Sequence, residues 1–376
     1  MDFSYSEEQQ MLQDSIAKFV LNDYDFDQRM KLVKSDQGYG REHWQLFAEL
    51  GWLMVPFAEA DGGLGGSATD LMVVMEEFGK GIVIEPFVAT AVLAGGLVAA
   101  VGSDAQKADF LGRVMAGNLQ MAFAYAEPQS RYQLSDVATS ARQEGDHYVL
   151  NGHKTVVLNG AAADIIVVSA RTAGVRTDAE GISLFLVDRA SPGVRIHSYR
   201  TQDGGRAAEV HLDGVKVPAE GLLGVAGQAL PVINQAINRA TLAVCAEAVG
   251  AMEVTYQKTV EYAKTRVQFG VPIASFQALQ HRMADMFIEH QQAKSIVLMA
   301  AMKLDQGGVE ADKAVSAMKS RIGKAGRLIG QEAIQIHGGI GVTEELDVGH
   351  YFKRLTMIEL LFGNGDFHTQ RFVALG

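Results

Sequence analysis

Two stretches of this chain hold side chains of the kind that do chemistry. In "RVQFGVPIASFQALQHRMADM", Arg266 ends a long helical pattern, a turn with Gly270 and Pro272 follows, and a new helix opens near Ser275, read as its N-cap. A guanidinium facing a helix N-terminus makes a site for an anionic group such as a pyrophosphate. The same arginine could merely complement the C-terminal end of the preceding helix, and residue types leave both readings open. In "LLFGNGDFHTQRF", six consecutive positions hold Gly363, Asn364, Gly365, Asp366 and His368 around Phe367. Asp366 is a carboxylate that could accept a proton, although Asn-Gly-Asp is also ordinary surface-turn chemistry. His368 reads as a loop or interface polar group, and the whole segment reads as a loop between helices.

The elements that must position these residues fall into three segments. Over 1–119 the pattern is helical. Ser6 three residues before Gln9 is a capping box, and Met11, Ile16, Phe19 and Val20 follow at helical spacing. "REHWQLFAELGW" and "SATDLMVVMEEFGKGI" are further helices, the second with Ser67 and Asp70 as start signals and Gly79 and Gly81 as stops. Its Leu71, Met72, Val74 and Met75 read as core. "EADGGLGG" is too glycine-rich for a regular element. Over 120–226, short stretches rich in Val, Ile and aromatics ("MAFAYAE", "HYVLNGHKTVVLNG", "DIIVVSAR", "GISLFLVDR", "GVRIHSY", "AEVHLDGVKVP") predict an all-β barrel or sandwich. Without βαβ alternation, "GGLGG" and "GGIGV" are not dinucleotide loops. Over 227–376 three long helices follow. In the third, Ala314, Met318, Ile322, Ala325, Ile329, Ala333 and Ile336 form a bundle-type stripe, and Gly323, Gly326 and Gly330 imply a close helix–helix approach.

Composition narrows the function classes. The 376 residues carry 33 Lys plus Arg against 44 Asp plus Glu, a net charge of 33 − 44 = −11, which argues against a nucleic-acid binder. Cys245 is the only cysteine, so no disulfide framework exists and a reducing compartment is expected. Met1-Asp2-Phe3-Ser4 shows neither a basic region nor an apolar core, so no signal peptide is expected. No uncharged apolar run reaches the ~18 residues of a membrane helix. A cytoplasmic location is the resulting expectation, and no metal-ligand spacing is present.

Taken in order along the chain, these motifs resemble the acyl-CoA dehydrogenase family. Arg266, Phe269, Gly270, Ile273 and Gln277 match its R-x-x-F-G-x-x-[IL]-x-x-x-Q block. "QEAIQIHGGIGVTEE" is similar to its second signature, "AYAEP" and "YVLNGHKTVVLNG" to its β-domain flavin motifs, and "MDFSYSEEQQMLQDSIAKFV" with "EADGGLGG" to its N-terminal region. The resemblance implies an α+β fold of three domains: an N-terminal helical domain, a middle β domain and a C-terminal four-helix bundle. It implies FAD, a carboxylate that takes the Cα proton while the Cβ hydride passes to the flavin, electron-transfer flavoprotein as acceptor, and a tetramer built as a dimer of dimers.

The resemblance further implies flavin contacts from Tyr125, Ala126, Val156 and Leu158, and, from a second subunit, Arg266, Gln268, Phe269, Gln277, Gln335, Gly338 and Gly339. Ser135 and Arg239 are the implied substrate contacts, with Arg239 either anchoring the CoA end or stabilising the bundle. Departures stand out. Val156 occupies a place where the family usually has an aromatic residue, Leu158 one where it has Thr, and "PQSRYQLSD" replaces a glycine-rich loop. The base is missing from both usual seats: one alignment puts Phe362 and Gly363 on the family's Tyr-Glu pair, another Gly363 and Asn364, and the alternative seat before Arg239 is Asn238. Asp366 is the nearest carboxylate. The expected function is FAD-dependent α,β-dehydrogenation of an acyl-CoA to a 2-enoyl-CoA, either as a homotetramer or as the base-lacking subunit of a heterotetramer with a homologous chain, similar to the small subunit of pimeloyl-CoA-type dehydrogenases. The alternatives are a same-fold flavin oxidase or monooxygenase, or a non-catalytic CoA-ester-binding partner.

Overall fold

A computed structural model of the chain describes residues 5–376; Met1-Asp2-Phe3-Ser4, read as lacking a signal peptide, lie outside the described residues. By packing, the chain divides into two compact units. One comprises the described residues up to Lys31, Ala68–Val83 and Thr241–Gly376; the other comprises Leu32–Ser67 and Ile84–Ala240. Helical, β and helical segments follow one another as expected.

In the first segment α1 (Glu7–Asn22) starts from the anticipated capping box: Ser6 Oγ accepts from Gln9 N at 3.2 Å and Gln9 Oε1 accepts from Ser6 N at 3.1 Å. After it come α2 (Phe26–Lys34), α3 (Arg41–Glu49), α4 (Ala68–Gly81), a π-helical stretch at Val88–Gly95, α5 (Gly96–Val101) and α6 (Asp104–Met115). A second capping box, Ser103 with Gln106, opens α6. Leu71, Met72, Val74 and Met75 are buried core on α4. Gly79 does not stop α4, contrary to the sequence reading. It lies inside the helix because a Cβ there would come 1.9 Å from Glu247 O, and a Cβ on Gly250 would come 1.9 Å from Glu76 O.

The β segment forms β1 (Met121–Ala124), β2 (Ser140–Glu144), β3 (His147–Leu158), β4 (Ile165–Arg171), β5 (Ile182–Asp188), β6 (Val194–Arg200), β7 (Arg206–Pro218) and β8 (Leu222–Leu223). Their order is β6-β7-β3-β2-β4-β5-β8, with β1 paired in parallel to β4. Tyr148 of β3 meets Phe185 of β5 at 4.9 Å although those strands are not neighbours. The sheet therefore folds over a single core holding Ala122, Leu150, Val168, Val187 and Val210. Two strands went unread. Only Ala141 of β2 is buried, so it shows no alternation, and β8 has two residues.

The last segment contains α7 (Leu230–Thr265), a ribbon of β9 (Val267–Gln268) and β10 (Val271–Pro272), α8 (Gln277–Gln306), α9 (Val309–His337), α10 (Asp347–Leu360) and α11 (Gly365–Ala374). The α9 stripe is buried throughout, from Ala314 to Ile336. Its glycines face α10 as anticipated: a Cβ on Gly330 would come 2.8 Å from Phe352 Cδ2. Among the described residues no helix is long and apolar enough to cross a membrane.

Two helical glycines, one packed and one open, give a test with opposite signs. Gly79→Ala should destabilise the protein by about 2–3 kcal/mol through overpacking. Gly112→Ala, in α6 with nothing within 4 Å of the added Cβ, should stabilise it by about 0.5–1 kcal/mol. Urea denaturation of both variants checks the pair.

Candidate active site

In the second unit, Lys154 shares inward parity on β3 with Tyr148 and Leu150, so its ammonium faces the core. Its Nζ donates to Glu127 Oε1 at 2.7 Å, Ser169 Oγ at 3.1 Å and Tyr125 O at 3.4 Å. Glu127 also accepts from Ala138 N at 2.8 Å, Thr139 N at 3.0 Å and Gln129 Nε2 at 2.8 Å. One buried ion pair thus joins the end of β1, the loop beyond it and β3. Burial raises the Glu127 pKa, but Lys154 and these donors outweigh it and hold the carboxyl at about 2. Burial lowers Lys154 to about 8 against the pull of Glu127. Neither residue was singled out from sequence. The readable signal was a lysine at an inward position of an apolar strand, which requires a buried partner.

The implied ring contacts come together on this frame. Thr155 N donates to Ala126 O at 2.9 Å, which lays Tyr125-Ala126 along β3. Between Lys154 and Val157 the β3–β7 register shifts, and Val156 sits in the bulge at φ 53° and 42% exposed. A β-branched residue in the left-handed region is strained. The outer face secures the bulge: Thr155 Oγ1 donates to Glu209 Oε1 at 2.8 Å, and Glu209 Oε2 also meets His153 Nε2. Leu158 is half-buried at the end of the strand. Ser135 lies in the loop after Glu127, where its carbonyl accepts from Arg171 Nη2 at 2.8 Å. Arg171 also donates to the carbonyls of Arg176, Asp178 and Glu180, so an unanticipated side chain shapes this loop.

The same unit holds a cleft of about 300 Å³ lined by Gly66, Val92, Gly96, Ala99, Ala236 and Arg239, among others. Arg239 Nη2 donates to Gly66 O at 2.8 Å and Pro56 O at 3.4 Å, tying the "EADGGLGG" loop to α7. Asn238, beside it, is buried. The cleft is walled by small residues, with the π-helical stretch on one side; such stretches often sit at functional sites.

The first unit presents the other residues of the motif block. Phe269 (φ 54°) and Gly270 (φ 82°) form the tip of the β9–β10 ribbon, a primed-type turn with both central residues left-handed. Phe269 is 93% exposed. Arg266, Gln268 and Gln277 are exposed around it. Ser275 does not cap α8; its hydroxyl donates to Pro272 O at 2.7 Å, Phe276 is the N-cap, and no side chain caps the first N–H groups. Those donors and Arg266 fit an anionic group. Tyr262 stacks on His337 at 4.3 Å and its hydroxyl donates to His337 O at 3.4 Å. That contact brings the end of α7 to the end of α9, where Gln335, Gly338 and Gly339 are exposed.

The segment from Leu361 is not a continuous loop. Leu361–Asn364 is a short turn, and α11 begins at Gly365 because Asn364 Oδ1 accepts from Phe367 N at 2.9 Å. Asp366 is exposed in the first turn of α11, a place that favours an acid for helix-dipole reasons. Gly363 is buried, as is His368, which lies within α11 rather than in a loop. Neither seat expected for a base holds a carboxylate. Among the described residues no group of three or more His, Cys, Asp and Glu side chains is placed to hold a metal ion.

Comparison with known proteins matches the chain to models of the acyl-CoA dehydrogenase N-terminal domain over residues 6–118, the middle domain over 122–215 and the C-terminal domain over 227–374. A probable acyl-CoA dehydrogenase of Bacillus subtilis (strain 168), YngJ, is 30% identical, spanning 99% of this chain and 98% of that protein. A chain of the ChsE4-ChsE5 complex from Mycobacterium tuberculosis superposes with a TM-score of 0.90 at 27% identity, covering 100% of this chain and 98% of that one. Butyryl-CoA dehydrogenase from Megasphaera elsdenii also gives 0.90 at 27% identity, covering 100% and 99%.

Removing one partner of the Glu127–Lys154 pair strands a buried charge, so Glu127→Gln should cost about 3–5 kcal/mol in urea denaturation. The acid dependence has a definite sign. Glu127 falls from an ordinary 4.5 to about 2 on folding, so its contribution is present above pH 4.5 and lost as pH falls toward 2. The stability gap between wild type and Glu127→Gln should narrow over that window.

Proposed function

The chain belongs to the acyl-CoA dehydrogenase family, and from that premise we propose that it serves FAD-dependent α,β-dehydrogenation of an acyl-CoA as the base-lacking member of a heteromeric enzyme. One observation carries the reading. The cofactor-facing ribbon, Arg266 with Phe269 at its tip, is built and displayed, while Gly363, Asn364 and Asn238 leave both seats of the base without a carboxylate.

The residues present fit FAD. Arg266 and the uncapped first N–H groups of α8 suit its pyrophosphate, and Gln268, Gln277, Gln335, Gly338 and Gly339 supply amide and backbone donors around it. Tyr125, Ala126, Val156 and Leu158 offer a backbone edge and apolar side chains for a flat ring system. FAD, when bound, supplies the hydride acceptor. This chain's own residues bind and orient. Arg239 fixes the glycine-rich loop over the small-residue cleft, a place for the thioester's CoA arm, and Arg171 fixes the loop carrying Ser135. No side chain at 363, 364 or 238 can take up the α proton, because glycine has none and amides are not competent bases.

The partners follow from this role: a homologous chain that carries the base, in a tetramer of two such pairs, and electron-transfer flavoprotein as acceptor. The cell interior is the expected location. The same-fold oxidase reading, which would use Asp366 as base, loses support because Asp366 is exposed in α11.

The test is to purify the chain alone and with a co-encoded homologue, then follow FAD content and flavin bleaching by acyl-CoA. Only the pair should bleach; rapid bleaching by the lone chain refutes the reading. In the pair, Arg266→Ala should weaken FAD retention on the order of tenfold or more, the worth of a charge-assisted contact of about 1.5–3 kcal/mol.

A further inference from the structure

The turn between α10 and α11 is closed by the chain's own side chains. Lys319 of α9 is fully buried, and its Nζ donates to Glu359 O at 2.9 Å and Gly363 O at 2.5 Å. Glu359 O is a carbonyl of the kind a helix end leaves unpaired, and Gly363 O lies in the turn that follows. His368 of α11 points back into the turn. Its Nε2 lies 3.0 Å from Phe362 O and therefore donates, and Nδ1 lies 3.4 Å from Ser316 Oγ. Burial, and then Lys319, lower its pKa to about 3, so the ring is the neutral imidazole these contacts need. Gly365 N donates to Glu359 Oε1 at 3.1 Å, and Asn364 is committed to Phe367 N. The backbone takes rare conformations under this clamp, Phe362 at φ 60° and Gly363 at φ 113°. A Cβ on Gly363 would come 2.4 Å from Phe367 Cδ1 and 2.7 Å from His368 Nε2.

We propose that Lys319 and His368 are positioning residues that lock residues 361–364 in a form admitting no side chain at 363, so that the base seat is sealed rather than vacant. The inference rests on the base-lacking reading and extends it. Restoring a glutamate by one substitution does not restore a base, since the side chain has no room. Glu359 is not a substitute. It faces α9, where a Cβ on Gly323 would come 1.7 Å from its Oε2.

Two variants of the full chain, each with its homologous partner and FAD, test this. Lys319→Met should raise amide hydrogen exchange across 361–368 on the order of tenfold, with strand β4 unchanged. Gly363→Glu should lower the melting temperature, or fail to fold, and should bleach with butyryl-CoA no faster than wild type. The proposal is overturned if Gly363→Glu melts like wild type and bleaches tenfold faster, or if Lys319→Met leaves the exchange unaltered. Should the wild-type assembly take up no FAD, the functional reading fails, while exchange and melting still decide whether the turn is locked.

Discussion

The Glu127–Lys154 pair is the constraint on which the edge of the β unit around Tyr125 and Ala126 depends. Two charges removed from water cost several kcal/mol each, and the cost is offset here because nearly every lone pair and proton is used. The partners lie in different segments, one after β1 and one in the middle of β3, so folding cannot satisfy either without fixing the loop between them. An apolar pair could have filled the same volume. What the charged pair adds is directionality: main-chain groups at Tyr125, Ala138 and Thr139 are all set by it.

The first unit solves a different problem by different means. Helices are brought into backbone contact where side chains are absent, at Gly79 and Gly250, and the glycines of α9 make room for side chains of α10. That close packing leaves the ends of α7 and α9 fixed by Tyr262 against His337. The motif residues beyond those ends then project outward from a rigid base. Display and burial are thus divided: the helices bury, the ribbon displays.

Much of this was legible in the sequence, for identifiable reasons. The α9 stripe and the strand runs were readable because one face of each element is buried and periodicity records that. The capping box at Ser6 was readable because its chemistry is local. What escaped is non-local. Gly79 looked like a stop because a glycine needed by a distant helix has the same letter as one ending its own. Ser275 looked like a cap, although its hydroxyl turns back to Pro272. Asn364 looked like turn chemistry when it caps a helix, since Asn serves both. The missing carboxylates were visible as letters; that the turn has no room for one depends on Lys319 and His368, 44 residues before and five after Gly363 in the chain.

The ribbon tip has a consequence of its own. With Phe269 and Gly270 both held left-handed and Ile273 N donating to Arg266 O at 2.8 Å, the loop is ordered before anything meets it. The entropy of arranging that backbone is therefore spent during folding, not at encounter, and association forfeits only the rotameric freedom of the side chains at the tip. With Val267 and Phe276 also exposed near it, the rigid phenyl ring of Phe269 belongs to an apolar patch standing in water.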